Sequence, residues 1–221
     1  MSNLKQMSIA WIMYATDHGG VLVSNRPYAG TPGIPTDNWV AGVMDWTTNS
    51  QNTDEDLLLQ AGLSPYLKSP AIYKCPADES VSAAGPRVRS YSMNAFMGSS
   101  GQAVGGWRHY LKLEQISPPA ATFVFVGEHP NSIDDGYFVN DPNRTNVWVD
   151  LPASGHKGAG GLGFADGHSE IHRWSEASTK QHVKPNGPKP AVRIPRRGTG
   201  ADLAWVLERT TQRETNSAGA P

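Results

Sequence analysis

The sequence predicts an α+β fold, an N-terminal helix packed on an antiparallel β-sheet with long loops. Three observations predict it. Apolar residues at helical spacing open the chain, β-rich runs fill its middle, and an Asp-Gly pair at 166–167 joins two strand-like segments. An amphipathic helix must bury its apolar stripe, and a sheet face is the surface that takes it. With 38% hydrophobic residues, 23 Gly and 17 Pro in 221, the core is expected to be modest and to carry much ordered loop. The seven Trp argue against wholesale disorder. Two regions are expected. Residues 1–175 form the body, with a helix at about 3–17 and a sheet within about 71–174; residues 176–221 form a Pro-rich, basic extension with a short helix at about 201–209.

In the first helix Leu4, Met7, Trp11 and Tyr14 share one stripe, and Gly19-Gly20 ends it. Pro27, Gly30, Pro32, Gly33 and Pro35 mark an irregular loop. A second helix is expected over 53–63, with Asp54, Glu55 and Asp56 favourably placed in its first turn and Leu57, Leu58 and Leu63 facing the core. Strands are expected at 71–75, 89–93, 122–126, 137–139 and 147–149, with a turn at 113–116 feeding the third of these. Gly161–Ala165 and His168–Trp174 flank Asp166-Gly167, a tight-hairpin signal because the turn needs the positive φ that Gly supplies. Residues 175–200, with Lys184, Lys189, Arg193, Arg196 and Arg197, read as an extended segment wrapping the surface. Residues 202–209 repeat a helical pattern through Leu203, Val206 and Leu207, and the last dozen residues read as a frayed tail.

Charge is balanced, 19 basic against 20 acidic residues, so the whole chain has no electrostatic bias towards nucleic acid or membrane. The basic stretch 184–197 has no interleaved aromatics to stack on bases and reads as a solvated linker. No run approaches the roughly 20 apolar residues of a membrane span, and no signal peptide is visible. Cys75 is the single cysteine, so no internal disulfide can form.

His156, Asp166 and His168 are the best site candidates. They could bind a divalent cation, zinc through imidazole or calcium through oxygens, with Asp134, Asp135, Asn140, Asp141 and Asp150 as further donors. Equally, Asp166 could cap its own turn through local backbone amides, with His156 donating to that turn. A metal-dependent hydrolase built on His156, Asp166 and His168 is the enzyme alternative. His168 and His172 do not form a helical zinc pair, since on a strand positions four apart lie about 13 Å from each other. Ser92 and Ser154, with His129 or His156, lack a nucleophile elbow. The glycine-rich run 158–163 does not connect a strand to a helix as a nucleotide loop would, and reads as backbone freedom beside the hairpin. Trp39, Trp46, Trp107 and Trp148, read as exposed, would suit a surface- or glycan-binding module.

Six stretches in order carry a family likeness: 3–20 (NLKQMSIAWIMYATDHGG), 73–78 (YKCPAD), 90–98 (SYSMNAFMG), 118–128 (PPAATFVFVGE), His156 followed after nine residues by Asp166-Gly167, and 202–211 (DLAWVLERTT). Together they resemble type IV pilin-like, pseudopilin-type proteins of the prepilin-type H-X9-DG family. Cys75, Pro76, Asp78, His156, Asp166 and Gly167 fall on its motifs. The resemblance implies a structural filament subunit, as in type II secretion or a type IV pilus. It implies partner subunits along the N-terminal helix, a possible secreted substrate or surface ligand on the loops, and in some members a Ca2+ in a C-terminal loop. It also implies a leader and an apolar membrane helix upstream, so the chain reads as the truncated body of a bacterial inner-membrane protein facing the periplasm or exterior. Cys75 then reads as a disulfide partner whose mate lies upstream. As given, the body is expected to be monomeric or weakly associated.

Overall fold

The computed structural model describes residues 2–27, 37–98, 104–190, 192–194 and 200–214. Gly30, Pro32, Gly33, Pro35, Arg196, Arg197 and most of the tail fall outside the described residues. The fold is mixed α+β. Helix α1 spans Ser2–Asp17 and buries Leu4, Met7 and Trp11, with Tyr14 half-buried beside them. The expected stripe is therefore the one that packs.

A two-stranded hairpin, β1 (Val81–Ser82) and β2 (Gly85–Pro86), precedes the main sheet. That sheet holds β3 (Tyr91–Asn94), β4 (Phe123–Gly127), β5 (Tyr137–Phe138), β6 (Ala159–Phe164) and β7 (Ser169–Arg173), in the order β5-β3-β4-β6-β7. Four of these strands pair antiparallel, but β5 lies parallel to β3, so the expected antiparallel sheet is mixed. The predicted hairpin is β6–β7, turning on Asp166-Gly167 with Gly167 at φ 90°.

Each sheet face has its own core. Val124, Phe125, Tyr91 and Met93 face α1, together with Trp39 and Tyr73. Phe123, Val126, Leu162, Phe164 and Trp174 face the other way and are covered by Trp148 and by helix α3 (Ala201–Glu208) through Leu203, Val206 and Leu207. Phe123 and Val126, three apart, share a face because the β4–β6 register shifts between Phe123 and Phe125. Residues beyond 175 thus supply one wall of the core.

Several expected elements are different. The second helix shrinks to α2 (Asp56–Leu59), and the chain then turns so that the Gly62 N–H meets Asn38 O at 2.7 Å. Leu57, Leu58 and Leu63 are nonetheless buried. Residues 70–73 form a 3-10 turn, not a strand. Pro70 opens it with a pre-set φ, and the Asn3 side chain takes the carbonyls of Ala71 and Lys74 that a ladder would need. Residues 147–149 make only the single bridge from Val147 to Arg193. The Asn140 side chain accepts from Val149 N–H, and Asp150 accepts from Val139 N–H, so side chains stand in for a neighbouring strand. Trp39 and Trp148, expected on the surface, are 0% and 2% exposed. Trp46 and Trp107 are half-buried under Arg87 and Arg213.

Candidate functional site

The glycine-rich run 158–163 is mostly strand β6 itself, and its glycines decide how close α1 can come. A Cβ on Gly163 would lie 2.4 Å from Ser8 Oγ and 3.2 Å from Leu4 O; one on Gly161 would lie 2.6 Å from Leu4 Cδ1. Both glycines face the helix. At the far end of the strand Gly167 sits under Ile9 and Ile12. The stretch from Gly161 to Gly167 therefore runs beneath α1 from Leu4 to Ile12.

This arrangement separates the predicted site residues. Asp166 and His168 come together at the hairpin turn: Asp166 Oδ1 accepts the His168 backbone N–H at 3.0 Å and lies 2.6 Å from Nδ1. Burial pushes the Asp166 carboxyl up, but the bonds from His168 outweigh it and hold it below the usual range. The His168 ring stacks on Phe164. His156 is at the opposite end of β6, about 20 Å away by the rise of a six-residue strand. It neither donates to the Asp166 turn nor shares an ion with it.

The additional oxygen donors are also engaged. Lys189 Nζ stands 2.5 Å from Asp150 and 3.5 Å from Asp134. Asp135 and Asp141 cap local turns at Tyr137 and Asn143, and the Asn140 side chain bonds Val149 N–H and Asp150 O. Among the described residues no group of three or more His, Cys, Asp or Glu is set to hold a metal. His172 stacks on Trp205 at 3.7 Å.

His156 instead meets Cys75, with Nε2 3.3 Å from Sγ. Two motif segments 81 residues apart in sequence are thus joined at one point. The Cys75 N–H donates to Ser90 Oγ at 2.6 Å, fixing the residue beside the start of β3. Tyr91, 2% exposed, is pushed up first by burial and then by the adjacent Cys75 sulfur, to which its hydroxyl bonds.

The pair lines a cavity of about 650 Å3. Its floor includes Leu4, Tyr91 and the backbone around Gly127, and one wall is the strap 180–185 from the C-terminal region. His129 ties that strap down. Its Nδ1 accepts the Asn131 N–H at 3.1 Å, which leaves Nε2–H to donate to Gln181 O at 3.2 Å. Burial pulls the His129 imidazole below its ordinary value, which keeps this neutral form. The Asn131 side chain adds bonds to Lys184 and to Gly187 O.

Behind the cavity lies a buried charged cluster. Arg89, fully buried, is lowered to about 10 by burial and donates to Tyr91 O and Asp134 O. Glu128 is pushed well up, by burial first and by Asp150 second, and accepts from the Ser132 hydroxyl at 2.7 Å. Asp150 is raised to about 6 by burial despite Lys189, whereas Lys189 moves up under the pull of Asp150. The pair is asymmetric because the Asp150 side chain is 2% exposed and that of Lys189 42%, so desolvation dominates only at the carboxylate.

The Cys75–His156 contact and the strap wall were not legible in the sequence. The only signal was that both residues fall on motifs of one family likeness. No family model, curated protein or solved structure matches this chain.

Proposed function

We propose that the chain is the body of a structural subunit in a pseudopilus or type IV pilus-like assembly. One observation carries the reading. Helix α1, held along β6 by Gly161 and Gly163, turns Ile9 and Met13 outward, 43% and 49% exposed, where a solvated helix would carry charge. Lys5 and Asp17 are the only charges on the helix. Burying the exposed half of each such side chain against a neighbour gains about 0.7–1.5 kcal/mol, and a neighbouring copy of the same helix is the occupant we assign. Among the described residues no helix is long and apolar enough to cross a membrane. On this reading a membrane helix precedes α1 in the full-length protein and supplies the principal contact at the bacterial inner membrane, with the body on the periplasmic or external side.

Sedimentation velocity at rising concentration tests the helix face. The reading expects weak, reversible self-association of the chain, reduced several-fold by Ile9→Glu with Met13→Glu at unchanged Tm. Association that ignores the double substitution, or none at millimolar concentration, would count against it.

A further inference from the structure

We propose that Cys75 and His156 form a reactive thiol–imidazole pair that exchanges with a small, uncharged disulfide bound in the adjoining cavity. The inference does not depend on the assembly reading. Sγ lies 3.3 Å from His156 Nε2, within reach for proton transfer, and is free of any disulfide. The Tyr91 hydroxyl is a second hydrogen-bonding partner of the sulfur. The residue is partly exposed, and both members of the pair line the cavity, so a ligand there touches the sulfur. At about 650 Å3 the space suits a small organic molecule. Leu4, Trp46, Val81, Ile171 and Val183 make much of its lining apolar, and the ionisable residues that also line it, Asp78, Glu79, Glu128 and Lys180, are of both signs, so an uncharged ligand suits it. A structural cysteine packed in apolar side chains has neither a base nor an approach route; this one has both.

The step balances as ordinary thiol–disulfide exchange. The Cys75 S–H proton moves to His156 Nε2, and the thiolate attacks one sulfur of R–S–S–R. The new Sγ–S bond forms as the old S–S bond breaks, and the departing thiolate takes the proton back from the imidazolium. Cys75 is oxidised to a mixed disulfide, and one RSH is released.

Bis(2-hydroxyethyl) disulfide is a suitable probe, with adducts read by intact mass. The folded chain should gain one adduct, lost in Cys75→Ser, at a rate about tenfold or more above that of the urea-unfolded chain. His156→Gln should remove that advantage, with the circular dichroism spectrum unchanged. Tyr91→Phe, which keeps the ring packing, should slow the adduct less than His156→Gln does. A folded protein that reacts no faster than the unfolded chain, or a His156→Gln variant that reacts like wild type, would overturn the proposal.

Discussion

At Gly163 a single hydrogen in place of a methyl lets Ser8 and the Leu4 carbonyl reach the strand. Gly163→Ala should therefore cost about 1–3 kcal/mol by overpacking. Gly161→Ala should cost less, because its obstacle is the movable end of Leu4, and Gly105→Ala, with nothing within 4 Å, should be neutral. Urea unfolding of the three variants checks the order. Lys189 gives a pH-dependent counterpart. Asp150 titrates at about 6 in the fold against an ordinary 3.8, so between those values the folded state holds the extra proton. Stability from this group is thus greatest at low pH and is lost as pH rises through about 6. Lys189→Met leaves the buried carboxylate without its cation. It should cost about 1–3 kcal/mol at pH 8, discounted for the exposure of the lysine, and clearly less at pH 5, where Asp150 is largely protonated; urea unfolding at the two pH values measures the difference.

At the scale of elements, the β6–β7 hairpin shows what the sequence could and could not convey. Its turn was legible because Asp-Gly chemistry is local: Asp166 accepts the His168 N–H and Gly167 takes the positive φ. Asp166→Ala should lower stability by about 1 kcal/mol, the worth of that bond, equally with calcium or with a chelator in a thermal melt. A loss seen only with calcium would restore an ion to the turn. Helix α1 was legible for the same reason, since its stripe is periodic. The strand-like run at 71–75 misled because a distant side chain, Asn3, takes its carbonyls. Residues 147–149 misled because Asn140 and Asp150 satisfy the backbone that a strand would have paired. The candidate site was divided on the same ground. Grouping His156 with Asp166 by sequence proximity ignored the straight strand between them, whereas Cys75, far away in sequence, is the true neighbour.

Across the whole molecule, α1 and α3 cover opposite sheet faces, and the strap 180–185 closes over the Cys75–His156 cavity. Among the described residues the outer face of α1 leaves Ile9 and Met13 exposed, and its use in assembly is the central claim. Cross-linking in cells that produce the protein tests it most directly, with Ile9→Cys placed in a Cys75→Ser background and Asn186→Cys, beside the strap, as control. The account predicts a covalent dimer from Ile9→Cys and monomer from the control. Monomer from both, or equal dimer from both, would contradict it.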